Sequence, residues 1–146
     1  MADDHSLDRF VEAQTRTYQT ALSEIRRGTK RTHWIWYIFP QLSGLGRSPT
    51  AQHFGVRSIE EARAYLDHPV LGPRYRECVE ALQDLSGSDA QAVFGAVDAM
   101  KLRSSLTLFE SAKPHPLFAA AIDRWFGGER DPATLEMLRS SDEARV

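Results

Sequence analysis

The positions Leu7, Phe10, Val11, Gln14, Tyr18, Leu22 and Ile25 follow helical spacing and predict one face of a helix running to Arg27, with Gln14 and Tyr18 as its polar members. Asp3, Asp4 and Ser6 are candidate N-caps, and Gly28 is the natural stop. The next pattern is a dense block, His33-Trp34-Ile35-Trp36-Tyr37-Ile38-Phe39-Pro40-Gln41, in which four aromatic side chains fall within six residues. It reads as a short helix from Thr32 as N-cap through Phe39, closed by Pro40. Strand is the rival reading because Trp, Ile and Tyr favour sheets, but no partner with alternating pattern occurs elsewhere.

Short helices follow at regular punctuation. Ser48-Pro49 is an N-cap with a proline at the first helical position, and Ser58-Ile59-Glu60-Glu61 has capping-box spacing and opens a helix to about Asp67. After His68-Pro69, the positions Leu71, Tyr75, Cys78, Val79, Leu82 and Leu85 mark a helix closing at Ser86-Gly87. Ser88 or Asp89 caps a short one through Phe94, halted at Gly95, and Asp98 begins another carrying Leu102, Leu106 and Phe109. Pro116 to Phe126 and a last helix capped by Asp131-Pro132, with Leu135 and Leu138, complete the set, and the polar tail from Ser140 to Val146 is expected to fray. The prediction is all-α: a compact single domain over residues 1–146, core about 7–138, of roughly eight or nine mostly short helices.

Composition narrows the function classes. The 146 residues are enough for a hydrophobic core without staples, and 42% hydrophobic with 26% charged side chains is ordinary for a globular chain. A formal charge of −2 gives no general attraction to nucleic acid or anionic membrane. The local exception is the basic cluster Arg26, Arg27, Lys30 and Arg31. Cys78 is the sole cysteine, so no intrachain disulfide can form, and its apolar setting predicts an inert core thiol. The acidic N-terminus shows no signal-peptide pattern, and the apolar run from Trp34 to Phe39 is far shorter than the roughly 20 residues a membrane helix needs. A cytoplasmic protein is expected.

Candidate chemistry concentrates in two segments. His33 is the one acid–base candidate, against the plainer reading of a half-buried polar handle. Lys30, three residues earlier, would share its helical face if the helix began early enough. Trp34 and Trp36 lie two apart, so on a helix they point roughly 200° from one another; one enters the core while the other covers a pocket or the surface. Gln41 and the loop Gly44-Leu45-Gly46-Arg47-Ser48 could present amides to an anion, although the third glycine of a dinucleotide fingerprint and the lysine of a P-loop are both missing. In the second segment Lys101, Ser104 and Ser105 stand at helical i, i+3 and i+4, with Thr107 close by. Hydroxyl residues are poor helix-interior choices unless they have hydrogen-bonding work, so anion binding or helix–helix bonding is expected of them rather than a Ser-Lys nucleophile, for which no elbow is present.

Metal ligation has no support, because His5, His33, His53, His68 and His115 show no i, i+4 pairing and cysteines do not cluster. His68 and His115, each before a proline, look like turn residues; Glu60, Glu61 and Glu77 look like solvated helix faces. No cofactor is implied.

Taken in order, His33-Trp34-x-Trp36-x-x-Phe39-Pro40-Gln41, Gly44-Leu45-Gly46-x-Ser48, His68-Pro69-x-Leu71-Gly72 and Phe94-Gly95-x-x-Asp98-x-x-Lys101-x-x-Ser104-Ser105-x-Thr107-Leu108-Phe109 resemble the bacterial domain-of-unknown-function family 1810, whose members are often labelled calpastatin. The resemblance spans Phe10 to about Leu138 and implies a compact, mainly helical cytosolic protein without an established activity. Calpain inhibition, which the label implies, does not suit this chain: inhibitors of that name are long, disordered and repetitive. Where the family pattern has a tyrosine after the glycine loop, this chain has Phe54, so no hydroxyl acts there.

These residues lead to one expectation and two rivals. Lys30 and Lys101 would neutralise a small anionic or nucleotide-like ligand, Trp34 or Trp36 would stack on its ring, Gln41, Ser48, Ser104, Ser105 and Thr107 would orient it, and His33 would be the acid–base residue. A non-enzymatic protein-interaction module with an exposed aromatic patch is the alternative. Nucleic-acid binding through the basic cluster is the less favoured one, given the negative net charge. The deciding question is whether the polar groups near residues 33 and 101 meet.

Overall fold

The structure is a computed structural model that describes residues 7–145. Its elements are α1 (Asp8–Arg27), α2 (Ile35–Ile38), α3 (Pro49–His53), α4 (Ile59–Asp67), α5 (Leu71–Gln83), α6 (Ala90–Phe94), α7 (Ala96–Ala112), α8 (Pro116–Phe126) and α9 (Pro132–Arg145). Among the described residues there are no strands, only an isolated parallel bridge between Leu42 and Val56, so the all-α expectation holds.

Helix α1 buries the predicted face, and its polar members have partners there. Gln14 Nε2 donates to the Tyr37 carbonyl at 2.7 Å and to the Tyr65 hydroxyl at 3.0 Å, while the Tyr18 hydroxyl donates to Glu77. Gly28 ends the helix in the left-handed region at φ 76°, where its amide reaches the carbonyls of Glu24 and Ile25. The proposed caps Asp3, Asp4 and Ser6 lie outside the described residues.

Helix α7 is the centre of the fold. It packs against α4, α6, α8 and α9 and touches α2, while α5 joins α1 on one side to α4 and α8 on the other. Every residue from Ser104 to Phe109 is buried, so this stretch is enclosed on all sides. One apolar cluster includes Phe10, Trp34, Phe39, Tyr65, Tyr75, Leu102, Phe109 and Phe118, with edge-on ring contacts such as Tyr75 on Phe118 at 5.5 Å. Gly72 admits the close approach of α4 to α5: a Cβ there would stand 2.0 Å from the Leu66 carbonyl oxygen.

Several predicted boundaries move, each for a local reason. Helix α2 is a single turn starting at Ile35 rather than after Thr32, because the amide and hydroxyl of Thr32 are committed to Glu24. Lys30 and His33 therefore precede the helix and do not share its face. Helix α5 stops at Gln83, before Ser86-Gly87; beyond it Arg124 of α8 gathers the carbonyls of Gln83, Leu85 and Gly87. Helix α7 begins at Ala96, not Asp98, with Gly95 at φ 83° as its N-cap and the Ala99 amide bonded to the Gly95 carbonyl at 2.9 Å. Helix α9 runs to Arg145, into the polar tail from Ser140 that was expected to fray.

One side chain read from spacing changes role, and three keep theirs. Ser58 caps α4 by accepting the Glu61 amide, but Glu61 does not return to the cap. It is buried, accepts the Arg57 amide and pairs with Arg9 at 2.9 Å, so it is no solvated helix face. His68 and His115 are indeed turn residues: each turns Nδ1 onto amides at the start of the following helix.

Candidate functional site

The segment between α1 and α2 is held from below by one carboxylate. Glu24, buried on α1, accepts from the amides of Arg31 (2.8 Å) and Thr32 (3.0 Å), from the Thr32 hydroxyl (2.7 Å) and from the Trp34 indole N–H (2.8 Å). Burial by itself would raise its pKa; these four donors outweigh it and hold the carboxyl at about 2. The Lys30 amide meets the Val93 carbonyl at 2.8 Å, which ties the same segment to α6.

So positioned, Lys30 points at the first turn of α7. Its ammonium lies 2.8 Å from Asp98 Oδ2 and 2.6 Å from the Thr32 carbonyl, and stands 4.9 Å over the Trp34 ring. Lys101, one turn along α7 from Asp98, is 3.6 Å from the other carboxylate oxygen and 5.0 Å over the Trp36 ring. Two ammoniums thus share one carboxylate, each over an indole face, leaving a local charge of +1. The two lysines differ in access: Lys30 is 6% exposed at its side chain, Lys101 23%.

The tryptophan pair divides as expected, although Trp34 precedes α2 as its N-cap and the helical spacing is not what separates them. Trp34 is buried against Phe39 and Phe94, while Trp36 is only partly buried. Trp36 also lines a crevice with Gln41, Gly46, Ala51 and Phe54, but its free space is only about 10 Å³, room for roughly one water. His33 is exposed, and its imidazole has no hydrogen-bond partner among the described residues. Ser48 is exposed and accepts the Ala51 amide at 3.1 Å as the cap of α3.

The three hydroxyls of the second segment turn inward. Ser105 and Tyr75 share a hydrogen bond of 2.9 Å inside the core. Ser104 donates to Asp131 Oδ2 at 2.8 Å, and Thr107 accepts the Asp131 amide at 2.9 Å; Thr134 completes this knot by donating to the same carboxylate oxygen at 2.6 Å. They fasten α5 and the start of α9 to α7, the helix–helix bonding that was one of the two roles expected of them. The structure therefore gathers Lys30, Lys101, Trp34 and Trp36 in one cluster and leaves Ser104, Ser105 and Thr107 with partners elsewhere.

Two site residues were missed by sequence reasoning. Asp98 had a signal, its i, i+3 spacing to Lys101, but was read only as a helix start. Glu24 had none, because its donors lie in a loop whose path is a tertiary fact. Among the described residues no three His, Cys, Asp or Glu side chains gather to hold a metal ion, and no helix is long and apolar enough to cross a membrane.

Comparisons with known proteins place this geometry in a family context. The family model described as "Protein of unknown function (DUF1810)" matches residues 4–138. A solved structure, that of the conserved hypothetical protein Rv1873 from Mycobacterium tuberculosis, is similar at 44% identity and a TM-score of 0.89, over 91% of this chain and 96% of that one. No curated protein matches the chain.

Proposed function

The chain belongs to the family of proteins of unknown function DUF1810, and on that premise we propose that it binds a small anionic, nucleotide-like ligand at the Lys30–Asp98–Lys101 cluster. One observation carries the reading: two lysines share a single carboxylate, and the more accessible of them, Lys101, holds it only at 3.6 Å. An incoming phosphate or carboxylate completes the coordination of Lys101 and offsets the surplus positive charge. Lys30, nearly enclosed and held at 2.8 Å by Asp98, fixes the carboxylate in place. Trp36 offers the planar group for a ligand ring, and Gln41 lies beside it. His33, on the exposed segment before Trp34, is the residue assigned to proton exchange with the bound ligand. Ser104, Ser105 and Thr107 support α7 from within, and Trp34 forms the floor under Lys30. The shallow surface at Trp36 favours a ligand lying across the cluster over one enclosed in a cavity.

Thermal unfolding with ATP, ADP, AMP and inorganic phosphate tests the reading. A ligand present at about 100 times its Kd stabilises the wild type by about 2.7 kcal/mol, and Lys101→Ala and Trp36→Ala should remove most of that gain while folding normally. If none of these ligands separates wild type from Lys101→Ala, the proposal fails.

The interaction-module reading is supported by a different observation. Val97 and Met100, on the outer side of α7, are 67% and 69% exposed, unusual for large apolar side chains on the central helix of a fold.

A further inference from the structure

On α7, Ala96, Ala99, Met100 and Arg103 fall at i, i+3, i+4 and i+7, a single helical stripe on the face opposite Ser105. With Trp125 and Phe126 at the end of α8, this stripe lines a cleft of about 230 Å³ that also borders α6. Arg103 is the cation of the cleft, and its hydrogen bonding is incomplete. One terminal nitrogen donates to the Arg130 carbonyl at 3.2 Å, but Nε is the single buried side-chain nitrogen or oxygen among the described residues without a partner. A buried donor left unpaired costs on the order of 1–3 kcal/mol, so its persistence calls for an acceptor.

Neighbouring carboxylates do not supply one. Glu110 and Asp123 are engaged by Arg130, at 2.7 Å and 3.6 Å, and Asp131 is taken by Ser104 and Thr134. Asp89, at the α6 side of the cleft, turns Oδ1 onto the amides of Gln91 and Ala92. Among the described residues Arg103 makes no ion pair. A guanidinium without its carboxylate therefore borders a small cleft with an alanine, methionine and aromatic wall on α7 and α8 and a polar rim of Ser88, Asp89 and Gln91.

We propose that this cleft is a second binding site, for a small amphiphilic carboxylic acid whose carboxylate bonds Arg103 while its apolar chain lies along Ala96, Ala99 and Met100 toward Trp125. The charge of Arg103 selects an acid over a neutral amphiphile, and Asp89 repels the carboxylate from the opposite side, which fixes the direction of binding. The volume limits the ligand, since pockets for drug-sized molecules begin at roughly 300 Å³. The site is separate from the Lys30–Lys101 cluster and does not depend on it.

The test is a titration of the full chain with octanoate, using 1-octanol as the uncharged control, followed by ¹H–¹⁵N NMR of the Arg103 Nε–H and Trp125 Nε1–H signals. Octanoate should shift both signals saturably, with octanol weaker by about tenfold or more, the share expected of a charge-assisted hydrogen bond. Arg103→Ala should abolish the octanoate-induced shift of the Trp125 signal, which lies in this cleft and not at the lysine cluster, and Arg103→Lys should retain only part of it. Should Arg103→Ala fold poorly, Arg103→Lys with Met100→Ser keeps the comparison. Equal binding of octanol and octanoate, an Arg103 signal unmoved by octanoate, or undiminished binding by Arg103→Lys would each overturn the proposal.

Discussion

Two sets of polar side chains on helix α7 have opposite fates. At its first turns Asp98 and Lys101 meet Lys30 and two indoles at a surface that solvent reaches, with a surplus positive charge. One turn further on, Ser104, Ser105 and Thr107 are buried, and all three hydroxyls are bonded within the fold. Both sets interrupt an apolar pattern and both look functional in one dimension. The difference lies in what each group can still accept. A buried hydroxyl already bonded to another element is a fastening, while an ammonium sharing a carboxylate retains donors for another partner.

That contrast can be broken hardest beneath the lysine cluster. Glu24→Ala would leave the amides of Arg31 and Thr32 and the Trp34 indole without acceptors, and should cost about 3 kcal/mol or more in urea unfolding. The same carboxylate predicts an acid transition. Because its folded pKa is about 2, below the ordinary value near 4.3, its contribution is fully present above pH ~4.3 and is lost as pH falls toward 2. Wild type should lose on the order of 2 kcal/mol more than Glu24→Gln over that interval. Matching acid profiles for the two would remove Glu24 as the clamp of the segment.

A smaller effect sharpens the enclosed half. Ser105→Ala leaves the Tyr75 hydroxyl buried without its partner and should cost about 1–2 kcal/mol, as should Tyr75→Phe. The double variant should cost clearly less than the sum, because the two hydroxyls are lost together. Additive costs would mean that the pair does not act as one bond.

The smallest effect belongs to the open half. Lys101→Ala removes a long ion pair and a partly exposed cation–π contact, and should change stability by less than about 1 kcal/mol. A large loss would make Lys101 a fastening like Ser105 and erase the distinction drawn between the two sets.

Helix positions were largely legible because apolar spacing, capping residues and glycine stops act within a few residues of one another. Ser48, Ser58 and Asp89 cap the helices they precede, and Gly28 and Gly127 end α1 and α8 in left-handed turns. Boundaries shifted where a distant group competed for the backbone, as Glu24 does at Thr32 and Arg124 does beyond Gln83. Cys78 was legible as an inert thiol: it is buried, and burial pushes its pKa up to about 12. Glu61 was misread, because its partner Arg9 lies on another helix.

By itself, then, the order of residues determined an all-helical chain, its turns, and the two segments where polar groups gather, since those follow from short-range sterics and periodicity. Only the tertiary structure decided that Lys30 and Lys101 converge on Asp98, that Trp34 is floor and Trp36 is surface, and that the hydroxyls of α7 face inward. The reason is physical. A side chain's type sets which bonds it can make, but burial and the neighbours brought by other helices decide which of those bonds are already made.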